Sequence, residues 1–284
     1  MKKTKLILSV ILVYTAFFIP AASMGQKNVY QSNWQKENIQ CNFQSEEWIS
    51  KMRYDSESKL VYKVSNDDKN LYVRLKVVDK IVQKKIMLTG LTLWIDLTGK
   101  KKKETGIRFP LKETNRRDFS SPPALIEEKN IQAEWANKFK KPHQIELLGF
   151  NKNVQSEMCF TEDSTGVSVE INMDSLNNFY YVATIPFYKL FDTLSYQLDS
   201  GNLISIGVET GCFEMPAMPS GGPGGPVGGP DGGINGGERP QMGNMEKPGM
   251  PENTMPNMEN IQMEMSEMSQ PTKLWIRKIR ISRK

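Results

Sequence analysis

The sequence has few of the residues that metal sites and disulfide frameworks need. Its 284 residues include three cysteines and one histidine, His143. Three cysteines cannot build the multi-bridge framework of a small secreted domain, and one histidine excludes a multi-histidine metal site within the chain. Haem held by a histidine–methionine pair would have to use His143. The sequence therefore predicts no cofactor.

Catalytic signatures are also missing. The chain has no Gly-x-Ser-x-Gly elbow, no His-Glu-x-x-His pair and no phosphate-binding Walker loop. The adjacent acidic pairs Glu127–Glu128 and Glu162–Asp163 are typical of exposed loops. A glycosidase pair can come from distant positions, so adjacency alone does not settle that reaction. The sequence favours a protein that is not an enzyme.

Long apolar runs are absent after the first 25 residues. There, three lysines precede the apolar run 6–20, which is followed by small residues as far as Gly25. This layout predicts a secretory signal peptide over residues 1–25. A retained membrane anchor is the alternative, but it needs about 18 to 20 apolar residues. We therefore expect a periplasmic or extracellular protein with no membrane span after cleavage, in which one cysteine pair can close and one thiol remains among Cys41, Cys159 and Cys212.

Aromatic residues are absent from positions 215–271, where Gly, Pro and Met supply 32 of 57 residues. This composition predicts a disordered low-complexity loop, because it cannot build a core. The following segment, Lys273–Ile281, is rich in β-branched residues and predicts a strand. The loop is then an insertion before the last strand of a single domain, which comprises residues 26–214 plus 272–284. Such insertions are tolerated because each doubling of loop length costs only about 0.6 kcal/mol.

The rest of the chain reads as short strands. The apolar runs Leu60–Val64 and Leu71–Val77 flank the turn Asn66–Asn70, which predicts a β-hairpin. Many such segments separated by turn residues predict an all-β fold, an antiparallel, jelly-roll-like β-sandwich. The best candidate for a short helix is 126–138. The further predicted strands are Leu91–Asp96, Thr105–Phe109, Gln144–Phe150, Val167–Met173, Tyr180–Phe187 and Leu203–Glu209.

Several of these segments together resemble a known family. They are Trp48 in its Glu-Glu-Trp-Ile context, the hairpin 66–73, Asp79, the strand Leu91–Asp96 with a glycine after it, and the closing Leu-Trp-Ile strand. They resemble the family 9 carbohydrate-binding modules and related DOMON-type sandwiches over most of residues 40–214 and the last strand. The resemblance implies a β-sandwich that binds saccharide ends or, in other branches, haem. It assigns the family's ligand-gripping tryptophan pair to no positions in this chain.

Four residues are candidates for a sugar site. Sugars outside cells are bound by aromatic faces with polar side chains beside them. In its strand, Trp94 alternates with apolar residues and therefore shares a more polar face with Asp96. Tyr72 and Arg74 form a similar pair. The alternatives are a second small core around Trp94 and an ordinary cross-strand pair for Tyr72 and Arg74. We expect Trp48, Trp135 and Trp275 to serve packing.

The methionines suggest a second kind of site. Thioethers are soft ligands that select Cu(I), or by the same logic Ag(I). The alternative is a flexible spacer or a partner-binding loop, because methionine also serves as an adaptable surface residue. The methionines at short spacing are Met250, Met255, Met258, Met263, Met265 and Met268.

Charge narrows the choice of partner. The stretch 215–271 holds two basic and seven acidic residues, so the rest of the chain, in a protein of net charge +5, is basic. Its densest basic run, Lys100–Lys103, lies at a predicted turn and has no interleaved aromatics, so no nucleic acid is expected as a partner. The favoured interpretation is a secreted, non-catalytic, carbohydrate-binding module. The alternative is a cell-envelope structural or interaction protein that uses the sandwich as a scaffold.

Overall fold

The computed structural model describes residues 29–35, 46–112, 135, 144–151, 153–160, 166–191, 203–213 and 258–283. Within these residues, two multi-stranded sheets pack face to face, so the predicted β-sandwich is confirmed. Each predicted strand is present, with ends shifted by at most two residues. Three groups of predictions lie outside the described residues: the signal peptide, the helix 126–138 except Trp135, and the positions Cys41, His143, Met250 and Met255.

The first sheet has seven strands in the described residues. All neighbouring strands are antiparallel except the first pair, which is parallel. In spatial order they are β1 (Tyr30–Gln31), β13 (Lys273–Arg280), β12 (Leu203–Thr210), β6 (Leu91–Asp96), β7 (Thr105–Arg108), β8 (Gln144–Asn151) and β9 (Val154–Phe160).

The second sheet has six strands in the same part of the chain. A short strand, β3 (Arg53–Asp55), pairs with β4 (Leu60–Asn66) at the side of the main strand order. The N-terminal arm, residues 29–35, joins the two sheets, because β1 belongs to the first sheet and β2 (Asn33–Trp34) belongs to the second. The main spatial order is β10 (Ser168–Met173), β11 (Phe179–Pro186), β5 (Asn70–Val77), β4 (Leu60–Asn66) and β2 (Asn33–Trp34).

The core lies between the two sheets and follows from the period-2 alternation of their strands. Leu71, Val73, Leu75 and Val77 of β5 are fully buried. The apolar face of β6 meets them from the other sheet, with Leu91, Leu93 and Ile95 at most 2% exposed. Trp135 is buried and its ring lies 4.9 Å from that of Phe179. Burial of each large aliphatic side chain contributes about 1.5 to 3 kcal/mol.

The terminal strand is the second strand of the first sheet, between β1 and β12. β13 pairs along its length with β12, with Ile276 opposite Ile206 and Ile279 opposite Ile204. Between these pairs the register shifts at a bulge, where Lys278 adopts a φ of 53°. The predicted last strand is therefore confirmed, and it completes the sandwich.

Four helices accompany the strands in the described residues, and the longer two were not predicted. Helix α2 (Lys80–Thr89) begins after Asp79, whose carboxylate accepts a hydrogen bond from the Val82 amide at 3.0 Å, and ends at Gly90, whose φ is 83°. Both are ordinary helix-boundary signals. The helices are α1 (Glu46–Ile49), α2 (Lys80–Thr89), α3 (Phe187–Leu190) and α4 (Met258–Met268). No helix of the described residues is long and apolar enough to cross a membrane.

Helix α4 departs from the expectation of a loop through residue 271. Ile261, Met265 and Met268 are spaced as one helical face, and Met268 is fully buried. The segment 257–270 contains neither glycine nor proline. The composition averaged over 215–271 hid the absence of glycine and proline near its end. The predicted loop therefore contains a helix, which packs on the sandwich.

Helix α4 is held against α2 and against the turn before β4. Lys84 and Glu264 pair at 2.5 Å, and Lys59 and Glu267 pair at 3.1 Å. The chain that leaves β12 lies beside the end of helix α4, because the Phe213 amide donates a hydrogen bond to the Met268 carbonyl at 3.0 Å. The insertion therefore starts and ends at one point of the sandwich.

Candidate functional site

The four predicted ligand residues do not form one site. Tyr72 and Arg74 belong to β5 of the second sheet, whereas Trp94 and Asp96 belong to β6 of the first. All four alternate with core residues, so they lie on the outer faces of opposite sheets. A ligand that contacts one pair cannot contact the other.

Tyr72 and Arg74 are covered. Arg74 is 2% exposed and its Nη2 donates to Oε1 of Gln35 at 2.5 Å, within the N-terminal arm. The Tyr72 hydroxyl donates to Asp67 at 2.6 Å, and burial together with this carboxylate raises the pKa of Tyr72 to about 12. Both side chains are therefore covered, and because they lie two residues apart on β5 they are neighbours on one strand and not a cross-strand pair.

Helix α1 covers the same face beside them. Trp48 is fully buried and packs edge-on against Tyr180, with ring centroids 5.1 Å apart. Val182, opposite Arg74 in the neighbouring strand, completes this small cluster. Trp48 and Trp135 therefore serve packing, as predicted.

Asp96 organises a turn. Its carboxylate accepts hydrogen bonds from the Thr98 amide at 2.8 Å, the Thr98 hydroxyl at 2.7 Å and the Lys102 amide at 3.1 Å. Burial alone would raise the pKa of Asp96, but these hydrogen bonds lower it below the ordinary value. The Lys100–Lys103 run accordingly lies in the turn between β6 and β7, as predicted.

Trp94 belongs to a row of residues that crosses the outer face of the first sheet. Register places Trp275, Gly207, Trp94, Gly106 and Leu148 next to one another on five successive strands. Both tryptophans are half-buried. We call these five residues the tryptophan row.

The two glycines make room for the indoles. A Cβ on Gly207 would lie 2.8 Å from ring atoms of Trp275, and a Cβ on Gly106 would lie 2.7 Å from Cε3 of Trp94. Each indole therefore leans over the glycine of the neighbouring strand. Because only hydrogen separates each ring from the backbone, the two aromatic surfaces lie low on the sheet.

The spacing of the row follows from sheet geometry. Trp94 and Trp275 are two strands apart, which is roughly 9.5 Å at the usual strand spacing. From Trp275 to Leu148 the row spans about 19 Å, or four such spacings. One sugar ring cannot cover both indoles, but an extended chain can.

A row of charged and polar residues runs beside the tryptophan row. Its members on the same five strands are Lys273, Glu209, Thr92, Arg108 and Glu146. Arg108 and Glu146 pair at 2.5 Å, and Lys273 lies 3.4 Å from Glu209. We call it the charged row; it can both donate hydrogen bonds to a ligand and accept them.

Glu209 connects the two rows. Its Oε2 accepts a hydrogen bond from Nε1 of Trp94 at 3.2 Å and pairs with Lys103 at 2.5 Å. Burial alone would raise the pKa of Glu209, but Lys103 and Trp94 lower it below its usual range. The ionised carboxylate thus fixes the orientation of the Trp94 indole.

Sequence reasoning identified Trp94 but assigned Trp275 to packing. The available signal was glycine inside a strand, which marks a close approach of another group to the backbone. Gly106 and Gly207 are the two instances on the row. A glycine inside a strand indicates that another group lies close to the backbone there. Which residue supplies that group depends on strand order.

Helix α4 gives two of the candidate methionines different environments. Met263 is 64% exposed, whereas Met268 is buried on the opposite side of the helix. Among the described residues, no group of three or more His, Cys, Asp and Glu could hold a metal. Cys159 is buried and Cys212 is half-buried, and no disulfide joins the two. Copper or silver binding by these methionines stays a prediction.

Comparisons with known proteins give limited matches. No family model matches the chain, and no curated protein matches its sequence. The chain is similar to a family 9 carbohydrate-binding module from Caldicellulosiruptor kristjanssonii solved with cellotriose, at 9% identity and a TM-score of 0.29, over 64% of this chain and 75% of that one. It is similar to the glucose complex at 9% identity and a TM-score of 0.30, over 63% and 76%.

Proposed function

We propose that the protein is a secreted, non-catalytic glycan-binding module whose binding surface is the tryptophan row. The observation that carries the proposal is the placement of Trp94 and Trp275 low on one sheet face, each over a strand glycine. The C–H face of a pyranose packs on such aromatic surfaces, and its hydroxyls need donors and acceptors beside them. The charged row supplies both along the same direction.

The geometry favours an extended glycan over a single sugar. The two indoles lie on the same side of the sheet and are roughly 9.5 Å apart, so they cannot clamp one ring between them. A chain that lies across the strands contacts both. Its affinity should therefore increase with chain length until the row is filled.

The proposal is tested by removing each aromatic surface. We expect Trp94→Ala and Trp275→Ala to weaken glycan binding about tenfold or more each, because central aromatic residues dominate binding surfaces. Isothermal titration against cello-, xylo- and manno-hexaoses and soluble plant and cell-wall polysaccharides measures this. Tyr54→Ala is the matched control, since Tyr54 is 64% exposed and lies on the second sheet.

Two results would overturn the proposal. One is that no glycan binds to the intact protein at millimolar concentration. The other is that glycan binding persists unchanged in the Trp94→Ala, Trp275→Ala double variant while its thermal unfolding stays cooperative. In the second case the sandwich binds sugar elsewhere.

A second candidate is a cell-envelope interaction protein. Strand β9 lies at the edge of the first sheet and exposes Val154, Met158 and Phe160, each at least 43%. Exposed apolar side chains on an edge strand are typical of docking surfaces. If this candidate is correct, Met158→Ser with Phe160→Ser should release the protein from isolated envelopes, whereas Trp94→Ala should not.

A further inference from the structure

The outer face of the first sheet is unevenly charged. Basic side chains outnumber acidic ones two to one over this face and its β6–β7 turn. The basic residues are Lys100, Lys101, Lys102, Lys103, Arg108, Lys273, Arg277 and Arg280, and the acidic ones are Asp96, Glu104, Glu146 and Glu209.

The cations stand beside the indoles. Lys273 and Arg277 are two residues before and after Trp275 on the same strand, so all three share its outward face. Both basic residues are exposed. Nζ of Lys103 lies 6.0 Å from the centre of the Trp94 ring. A sugar stacked on either indole would therefore have a cation at its edge.

The acidic side chains are already engaged by these or other groups. Glu209 binds Trp94 and Lys103, and Glu146 binds Arg108. Asp96 accepts hydrogen bonds from the backbone amides of Thr98 and Lys102 in its own turn. Lys103 and Lys273 share the one carboxylate of Glu209, and Arg277 forms no ion pair with another described residue, so the net charge beside the two indoles is positive.

We propose that the glycan is an acidic polysaccharide, with uronate carboxylates that pair with the cations beside Trp94 and Trp275. This proposal rests on the proposed function. A guanidinium binds a carboxylate in a bidentate fork, so Arg277 is suited to this contact. Stacking on the two indoles holds the sugar rings of the glycan along the tryptophan row. The cations favour glycans that carry carboxylates.

A single-stranded nucleic acid also combines stacking with negative charge. The two carboxylates within the charged row argue against it. Glu146 and Glu209 would repel any anion beside them, and a nucleic-acid strand carries a phosphate at every residue, whereas a uronate glycan also carries hydroxyls that can donate hydrogen bonds to these carboxylates. The mixed row therefore fits an acidic glycan better than a polyphosphate.

The test compares each acidic polymer with its own neutral form. Polygalacturonate, alginate and hyaluronan are presented to the full chain by affinity electrophoresis, each beside its carboxyl-reduced counterpart and beside poly(U). We expect at least one acidic polymer to bind about tenfold tighter than its reduced form at low salt, which corresponds to about 1.4 kcal/mol. Added salt should narrow the difference, because exposed charges are screened.

The outcomes separate the two proposals. Equal binding of an acidic polymer and its reduced form, abolished by Trp94→Ala, overturns the acidic preference and leaves glycan binding intact. Binding of poly(U) in preference to every glycan overturns both. Retention of all polyanions alike, unchanged by Trp94→Ala, also overturns both, because charge alone would then explain it.

Substitutions that each remove one positive charge show which residues cause the preference for acidic polymers. Arg277→Gln and Lys273→Gln should each weaken binding of the acidic polymer about two- to fivefold at low salt, the usual range for one exposed ion pair. Binding of the reduced polymer should not change. Lys69→Gln is the control, since it removes the same charge from an exposed turn of the second sheet. An equal effect of all three variants would contradict a local contact.

Discussion

The outer faces of the two sheets are built differently. On the second sheet, Tyr180 and Arg74 are at most 3% exposed, because Trp48 of α1 and the N-terminal arm lie over them. On the first sheet, Trp94 and Trp275 remain half-buried and lean over glycines. Large aromatic residues thus form a second buried layer on the outer face of the second sheet. On the outer face of the first sheet they remain partly exposed to solvent. The comparison suggests that a tryptophan's role is decided by what lies above its strand.

The largest expected effect concerns the covered face. Trp48→Ala should lower the free energy of unfolding by about 3 to 5 kcal/mol, because it leaves a cavity between α1 and β11. Urea denaturation measures the change. Trp94→Ala, read in the same way, should cost far less, since its ring is already partly in water. Equal losses for the two variants would remove the distinction between the faces.

An intermediate effect concerns the glycines beneath the indoles. Gly207→Ala should cost about 1 to 3 kcal/mol, because the added methyl group would meet the ring of Trp275 at 2.8 Å. The same substitution in a Trp275→Ala background should cost much less, since the ring is gone. Thermal unfolding of the four proteins of this cycle gives the coupling. Additive losses would show that the glycine is required for another reason.

The smallest effect is a pH dependence that both faces share. Asp67, Asp96 and Asp174 each accept hydrogen bonds within a turn, and these bonds lower the pKa of each carboxyl below 3.8 although burial opposes the shift. A depressed folded-state pKa adds stability that is complete above the unfolded-state value and lost as the pH falls through the folded-state value. The unfolding free energy should therefore be level from about pH 7 to 5 and decline below pH 3.8.

Asp96→Asn tests the contribution of one turn. The amide has no proton to gain, so the acid decline should become shallower, while stability at neutral pH falls. Urea titrations at several pH values measure both changes. An unchanged slope below pH 3.8 would show that Asp96 does not take part in the acid decline.

Much of the fold was predictable because its strands carry local signals. The alternation in Leu71–Val77 and Leu91–Asp96 and the acidic turn between β4 and β5 are all properties of neighbouring residues. Strand β9 was missed because nearly all its side chains are exposed, so it has no burial pattern. Helix α4 was missed because its apolar face was averaged into a glycine-rich stretch.

The candidate site was predictable only in part. Trp94 was identified from its own strand, but Tyr72 and Arg74 have the same pattern and turned out to be covered. Trp275 was assigned to packing, and the sequence could not place it beside Trp94 because the two are 181 positions apart in the chain. Their proximity depends on β12, which pairs with both β6 and β13.

The amino-acid sequence by itself determined most of the strands, the basic body and the alternation that turns Trp94 away from the core. These are consequences of side-chain period and composition over a few residues. Only the tertiary structure decided that the two tryptophans share a row, that glycines lie beneath them, and that the equally promising face of β5 is closed. Those outcomes depend on strand order and on which segment folds over which face, and both are set by contacts between residues far apart in the chain.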